Sequence, residues 1–193
     1  MKQQGFKNVV GIDEVGRGAW AGSLIAAAVK LPLNPRLYKL RDSKLLSQKE
    51  REKLARKIKK SKAVIGIGVV EPDQINKIGL TRALQGSYKL ALKDLKIKPD
   101  FILIDGYRLK NSVIAQKAII KGDMKCASIA AASIIAKTAR DKIMRQQGRK
   151  FWQYKFHKNK GYGTKEHQKA LAKHGPCEIH RDYRPVRKLK TKS

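Results

Sequence analysis

The sequence predicts an α/β protein in which helices cover a mixed β-sheet. Two short apolar segments follow each other near the N-terminus, and further apolar segments then alternate with helical ones. Hydrophobic residues make up 41% of the chain, which is enough to build a core. Strands that alternate with helices are typical of α/β layer folds. The length of 193 residues fits one domain with a small appendage.

The N-terminal part predicts three strands and one capped helix. Residues 8–13 and 23–31 are short apolar segments separated by a glycine-rich turn, so we expect them to pair as a hairpin. Ser47 and Glu50 have capping-box spacing, which predicts that a helix begins there. Residues 63–70 (AVIGIGVV) predict a third strand.

The middle of the chain alternates helices with two further strands. Residues 73–95 predict a helix in two pieces that meet near Gly79. Residues 101–105 and 117–123 are predicted to be strands, and each ends in an aspartate. The segment 126–144 is rich in alanine and isoleucine, which predicts a long helix with a buried centre.

The C-terminal part is basic and aromatic. In residues 145–160 aromatic side chains interleave with lysines, and a glycine-rich turn then leads to a helix that Gly175 ends. We therefore predict two regions. Residues 1–144 form an α/β domain, and residues 145–193 form an extension with a basic tail.

The net charge is unusually positive for a folded chain. Lys and Arg number 45 against 15 acidic residues, which gives a formal net charge of +30. The commonest physical reason is a polyanionic partner, with nucleic acid first and an anionic membrane second. A solvated, lysine-rich surface is the alternative. Because the apolar runs are too short to span a bilayer and no signal core is found, we expect a cytoplasmic protein with no membrane partner.

Four acidic residues at predicted strand ends are not explained by a charged surface. Asp13 and Glu14 end the first strand, Asp105 ends the fourth and Asp123 ends the fifth. Acids repel nucleic-acid phosphates unless a cation lies between them, and the carboxyl ends of parallel strands meet at one edge of a sheet. Carboxylate oxygens suit magnesium, and two such ions roughly 3.5–4 Å apart serve phosphodiester hydrolysis. The pattern predicts a divalent-metal site.

Two considerations oppose this prediction. A single aspartate at a strand end is more often a turn residue or a helix cap. Adjacent residues of a strand also point to opposite faces, so Asp13 and Glu14 can share a site only if the strand twists or ends there. Gly16, two residues further on, would permit such a change of direction.

Five segments, which occur in family order and cover most of the chain, resemble the ribonuclease HII family. They are residues 11–29 (GIDEVGRGAWAGSLIAAAV), 42–47 (DSKLLS), 104–106 (IDG), 121–141 (KGDMKCASIAAASIIAKTARD) and 161–181 (GYGTKEHQKALAKHGPCEIHR). The resemblance implies a ribonuclease H-like fold, with a five-stranded mixed sheet flanked by helices and a small C-terminal helical extension. Residues 1–144 would then be the catalytic domain, and residues 145–193 the helical substrate-binding extension.

The resemblance also implies a reaction. Such an enzyme is an endoribonuclease (EC 3.1.26.4) that hydrolyses the RNA strand of RNA–DNA hybrids. It nicks on the 5′ side of ribonucleotides embedded in duplex DNA and leaves 3′-hydroxyl and 5′-phosphate ends, which implies a role in ribonucleotide removal and repair. We expect a monomer that uses two Mg²⁺ or Mn²⁺ ions and no organic cofactor.

The resemblance assigns roles to individual residues. Four carboxylates would be the catalytic metal ligands, namely Asp13, Glu14, Asp105 and Asp123. The turn formed by Gly16, Arg17 and Gly18 would sense the ribose 2′-hydroxyl, with glycines that allow close approach of the main chain. Tyr162 would stack near the sugar of the following deoxynucleotide.

Four further residues are candidate phosphate contacts. Ser43 and Lys44 lie in a predicted loop, for which a solvated loop is the alternative explanation. Lys137 and Arg140 lie on the long helix, where a surface pair at i, i+3 is the alternative. The chain departs from the family at Ala19 and Ser23, where proline is usual, so we expect a looser turn after Gly18.

Two other functions fit parts of the pattern. A non-catalytic RNA- or DNA-binding protein would explain the charge, but it gains nothing from acids placed against phosphates. A metal nuclease with another substrate preference would explain the acids, but not the segments around Arg17 and Tyr162. Substitution of Asp13 by Asn distinguishes a binding protein from a nuclease. A binding protein should keep its affinity and has no magnesium-dependent cleavage to lose.

Overall fold

A five-stranded mixed sheet forms the centre of the protein. The computed structural model describes residues 5–32 and 46–190. The sheet has the strand order β3-β2-β1-β4-β5, in which β2 pairs antiparallel with β1 and β3, and β4 pairs parallel with β1 and β5. The strands are β1 (Val9–Val15), β2 (Leu24–Lys30), β3 (Val64–Val70), β4 (Phe101–Asp105) and β5 (Ala115–Ile119). The predicted mixed α/β sheet is confirmed.

Eight helices are described, and the local signals in the sequence explain how several of them begin and end. They are α1 (Gln48–Lys60), α2 (Pro72–Ile78), α3 (Leu80–Asp94), α4 (Gly122–Lys125), α5 (Ala127–Lys150), α6 (Phe156–Asn159), α7 (Lys165–His174) and α8 (Arg184–Lys190). The capping box of Ser47 and Glu50 starts α1, and Gly79, with φ of 80°, separates α2 from α3 as predicted. None of these helices has the length and apolar character that crossing a membrane requires.

Three elements differ from the predictions. β5 ends at Ile119, so the prediction that Asp123 ends this strand is wrong. Lys121 has left-handed φ and ψ of 55° and 45°, which turns the chain, and Asp123 lies on the short helix α4. Helix α5 continues to Lys150, beyond the predicted end, and α8 was not predicted. The division at residue 144 stays a prediction, and α5 runs across that position.

Helices cover both faces of the sheet, which explains why the six residues 24–29 of β2 are apolar and fully buried. On one face α3 packs through Leu84 and Tyr88 onto the sheet. On the other face α5 and α1 pack onto it, the latter through Ala55 and Ile58. A third core joins the C-terminal helices to the turn between β1 and β2 at Ala21.

Glycines let two helices approach the sheet at backbone distance. A Cβ atom on Gly68 of β3 would lie 2.1 Å from the carbonyl oxygen of Ser87 in α3. A Cβ atom on Gly11 of β1 would lie 2.2 Å from the main chain of Ser128 in α5. Side chains at these positions would push the helices away, so the glycines set the distance between helix and sheet.

We predict that Gly68→Ala lowers the free energy of unfolding by about 1–3 kcal/mol or more, because backbone atoms of α3 must move to accept the methyl group. The control is Gly86→Ala, where the nearest atom is Val70 Cγ2 at 4.0 Å. Since Gly86 lies inside α3, this control should gain about 0.5–1 kcal/mol. Urea unfolding of both variants measures the difference, and equal stability of the two would contradict the close approach.

Candidate active site

Three of the four predicted carboxylates lie close together where β1 and β4 end. β1 and β4 are parallel neighbours, and Ile12 pairs with Ile104, directly before Asp13 and Asp105. The carboxylates of Asp13, Glu14 and Asp105 are close enough for each to change the electrostatic environment of another. The sheet therefore brings residues from two distant segments to one edge.

The fourth carboxylate, Asp123, lies at the start of α4 and is 2% exposed. The main-chain N–H of the preceding residue, Gly122, donates a hydrogen bond of 2.6 Å to Oδ1 of Asp105. This hydrogen bond ties the N-terminus of α4 to the end of β4. It explains how Asp123 comes near this edge although no strand ends in it.

Asp13 and Glu14 point to opposite faces of the sheet. Asp13 lies on the α5 side near Ser133, whereas Oε2 of Glu14 accepts a hydrogen bond of 2.5 Å from the Tyr88 hydroxyl on α3. The strand does not end between them, because Val15 still pairs with Ile25. Within residues 5–32 and 46–190, no three acidic, histidine or cysteine side chains converge closely enough to enclose a metal ion.

Burial makes the ionised forms of Asp13 and Glu14 unfavourable. It raises the pKa of Asp13 to about 7, and the negative charges of Glu14 and Asp105 add to the effect. Burial and the charge of Asp105 also raise the pKa of Glu14, which the Tyr88 hydrogen bond and Arg17 partly offset. The donor set is all oxygen, negatively charged and mutually repelling. Oxygen ligands of this kind are the ones that hard divalent cations such as Mg²⁺ prefer.

Two buried arginines hold the turn that follows β1. Arg181 is fully buried and donates hydrogen bonds to the carbonyl oxygens of Gly16 at 2.6 Å and Gly22 at 2.8 Å. Arg140 is 1% exposed and donates to the carbonyl oxygen of Ser23 at 2.9 Å. Burial lowers the pKa of both guanidinium groups, to about 10 for Arg140, so both stay charged at neutral pH. The two arginines therefore hold the turn through hydrogen bonds to its main chain.

Arg140 is buried beneath the turn that follows β1. It does not reach the surface, as a phosphate contact would have to do. Besides Ser23, it donates to the Lys160 carbonyl at 2.8 Å, and its guanidinium carbon lies 5.2 Å from the centre of the Tyr162 ring. Lys137, the other candidate on α5, is half-buried. The candidates Ser43 and Lys44 lie outside the described residues.

Side-chain hydrogen bonding holds the turn at Ser23, one of the two positions where the family usually has proline. The Ser23 hydroxyl donates to Oε2 of Glu71 at 2.7 Å. Glu71 is the N-cap residue of α2, so this contact links the turn to the helices on the α3 face. Ala19, the second position, is fully buried. The expected looseness is therefore opposed by a side-chain hydrogen bond that a proline ring could not make.

Tyr162 is displayed on a loop that packs against the same turn. Its side chain is 37% exposed, and the carbonyl oxygen of the preceding Gly161 accepts hydrogen bonds from the N–H of Trp20 at 2.8 Å and of Ala21 at 3.1 Å. A Cβ atom on Gly163 would lie 2.3 Å from the Trp20 ring. The turn after β1 and the Tyr162 loop therefore form one surface.

A buried pair of histidines supports the Tyr162 loop from inside. Nδ1 of His180 lies 2.9 Å from the N–H of Cys177, which can only donate. His180 therefore carries its proton on Nε2 and donates it to Nε2 of His167 at 3.0 Å. His167 in turn donates from Nδ1 to the Tyr162 carbonyl at 2.9 Å. The network is complete only when both rings are neutral.

With the edge, the turn and the loop defined, the chain can be compared with known proteins. The sequence profile described as Ribonuclease HII matches residues 10–187. The chain belongs to the ribonuclease HII family. It is therefore an endoribonuclease of the ribonuclease H type (EC 3.1.26.4), a class that hydrolyses RNA in RNA–DNA hybrids and depends on divalent metal ions.

Relatives and solved structures support the same family. The Ribonuclease HII of Syntrophus aciditrophicus is 46% identical over 191 residues, which cover 99% of this chain and 90% of the relative. The ribonuclease H2 of Pyrococcus horikoshii is 25% identical with a TM-score of 0.80, over 96% of this chain and 98% of that one. Bst-RNase HIII in complex with Mn²⁺ is 22% identical with a TM-score of 0.70, over 95% and 65%, and shows the common fold.

The sequence did not point to four of the residues that support the site of this ribonuclease HII. They are Tyr88, His167, His180 and Arg181, all buried. Their partners lie 74 residues away for Tyr88 and 165 residues away for Arg181, so no local pattern could reveal the contacts. The one signal in the sequence was that His180 and Arg181 end the last segment that resembles the family, residues 161–181.

The histidine pair predicts an acid-sensitive fold. Burial lowers the pKa of both rings, to about 4 for His180, so the unfolded chain takes up protons below its ordinary pKa of about 6.5 while the folded protein does not. The free energy of unfolding should therefore fall as the pH drops from about 6.5 towards 4. Unfolding of wild type and His180→Gln across this range measures it. The variant should be less stable at pH 7 and less sensitive to acid, and parallel pH profiles would contradict the assignment.

Proposed function

We propose that this ribonuclease HII nicks on the 5′ side of a ribonucleotide embedded in duplex DNA. The products would carry 3′-hydroxyl and 5′-phosphate ends, and the cellular role would be ribonucleotide removal and repair. The observation that carries the proposal is the position of three neighbouring carboxylates, those of Asp13, Glu14 and Asp105, near the ends of β1 and β4, beside a turn whose main chain two arginines hold. Action as a cytoplasmic monomer without an organic cofactor stays a prediction from the sequence.

We propose that the four carboxylates at this edge hold two Mg²⁺ or Mn²⁺ ions, namely Asp13, Glu14, Asp105 and Asp123. When bound, such ions supply an activated water and charge stabilisation for the leaving 3′-oxygen. The Mn²⁺ complex of a structural neighbour agrees with this class of ion.

The protein's own contribution is to fix the carboxylates before substrate arrives. Tyr88 donates to one oxygen of Glu14 and leaves the other for a ligand. The Gly122 N–H fixes one oxygen of Asp105 in the same way. Partners of this kind orient the side chains that bind a metal. Their loss commonly lowers metal affinity or activity by about 10- to 100-fold.

Recognition of the ribose would fall to Gly16, Arg17 and Gly18. A Cβ atom on Gly18 would meet nothing within 4 Å, so the main chain at Gly18 is open to close approach. Gly16 has φ of 91° and packs against Arg140, which fixes the start of the turn. The 2′-hydroxyl distinguishes RNA from DNA, and main-chain amides and carbonyls can bind it. The exposed ring of Tyr162 lies next to this turn and offers a stacking surface.

The first test uses a DNA duplex with one ribonucleotide, with and without magnesium, beside an all-DNA control. We expect a single magnesium-dependent nick 5′ to the ribonucleotide, lost in Asp123→Asn because a metal ligand is removed. Tight binding without cleavage in magnesium or manganese would instead favour a binding protein. Cleavage of long hybrids alone would keep the metal site but remove the roles of the Gly16–Gly18 turn and Tyr162.

A second test addresses the hydrogen bond between Tyr88 and Glu14. We predict that Tyr88→Phe lowers kcat about 10-fold or more with little change in KM, because Glu14 loses the group that orients it. The control is Tyr154→Phe, which removes the buried hydroxyl that donates to the Gly175 carbonyl at 2.7 Å, far from the carboxylates in sequence and on another core. If both variants lose stability but keep kcat, Tyr88 has only a structural role.

A further inference from the structure

A basic cleft of about 400 Å³ opens beside the carboxylate edge, between α3 and the loop formed by residues 106–113. Its floor is apolar and contains Leu80 and the buried Leu84. Its rim carries Arg17, Arg108 and Lys110, and none of the residues that line it is acidic. The cleft therefore combines positive charge with an apolar surface.

Two glutamine side chains hold the main chain of the loop in place. Gln85 of α3 donates to the Arg108 carbonyl at 3.1 Å and accepts from the Lys110 N–H at 2.8 Å. Gln116 of β5 accepts from the N–H of Leu109 and donates to its carbonyl, both at 2.8 Å. Three consecutive residues are thus fixed through their backbone, while the cationic side chains of two of them remain exposed. An ordered loop loses less conformational entropy when a ligand binds.

The cleft is continuous with the carboxylate edge. The Tyr107 N–H donates to the carbonyl of Asp105 at 2.8 Å, so the loop begins directly at a carboxylate of the edge. The guanidinium carbon of Arg17 lies 4.6 Å from the centre of the Tyr107 ring, which is 54% exposed. A polymer that lies across the edge would pass over this pair into the cleft.

We propose that the cleft binds the sugar–phosphate backbone of the substrate duplex next to the cleaved position. Arg108 and Lys110 would each neutralise one phosphate, and the Tyr107 ring with the apolar floor would face a sugar. Exposed cations beside an aromatic ring suit a chain of phosphates. This proposal rests on the proposed function, because it assumes that a nucleic-acid strand crosses the edge.

The test compares two variants that each remove two positive charges. Arg108→Ala/Lys110→Ala changes the cleft, and Lys59→Ala/Lys60→Ala changes exposed lysines at the end of α1, on the opposite face of the sheet. Binding of a labelled all-DNA duplex, which is not cut, is measured in magnesium over a series of salt concentrations. The slope of log Kd against log salt should decrease by about two in the cleft variant, one for each lost phosphate contact.

Cleavage of the duplex with one ribonucleotide supplies the second readout. The cleft variant should raise KM and leave kcat at saturating substrate unchanged, and the α1 variant should change neither. An unchanged salt slope in the cleft variant, or an equal decrease in both variants, would overturn the proposal while the nicking activity still stands. Absence of nicking by the wild type would reject the proposed function instead, and the binding comparison would still decide whether the cleft contacts phosphates.

Discussion

Two buried guanidinium groups bind main-chain carbonyls, and the surfaces around the active edge depend on them. Arg140 comes from α5 and Arg181 from the segment after α7, yet both donate to the turn between β1 and β2. A buried charge is costly unless hydrogen bonds compensate it, and charge-assisted bonds to several carbonyls do so here. Loss of either arginine would leave buried carbonyl oxygens unpaired. The turn, the Tyr162 loop and the C-terminal helices are therefore stabilised together.

The same low-dielectric interior acts in opposite directions on the two kinds of charge. Burial raises the pKa of Asp13 and Glu14, which favours their protonated forms, and it lowers the pKa of Arg140 and Arg181. The arginines keep their charge because their ordinary pKa is far above neutrality. Asp13, with a pKa of about 7, is divided between its forms near neutral pH, so a cation is the group that would favour its ionised form. These acids thus need an external partner. The arginines are compensated mainly by main-chain carbonyls within the protein, although Nη2 of Arg181 has no hydrogen-bond partner among the described residues.

Local sequence patterns predicted most of the fold. Apolar segments located all five strands, and the capping box of Ser47 and the break at Gly79 located helix ends, because these signals act over a few residues. The parallel pairing that places Asp13 beside Asp105 was a condition of the metal-site prediction, and the structure meets this condition. Asp123 was assigned to a strand end because the left-handed turn at Lys121, which ends that strand early, leaves no signature in the sequence.

Long-range contacts within the site could not be predicted in the same way. Arg140 resembled a surface residue of a helix, and its burial became visible only when the segment around Lys160 was folded against it. His167 and His180 are 13 residues apart, and their pairing depends on how the chain returns after α7. Buried polar networks join segments that hydrophobic periodicity treats independently.

The contact between Trp20 and Gly163 has a consequence for how this protein can diverge. The Trp20 ring occupies the space that a side chain at position 163 would need, so a bulkier residue there requires a smaller one at position 20. The two positions lie in different loops, and each loop carries a proposed substrate contact. Substitutions in one loop are therefore expected to be inherited together with compensating substitutions in the other. If the loop that carries Trp20 is replaced by that of a relative, the loop that carries Gly163 should have to come from the same relative.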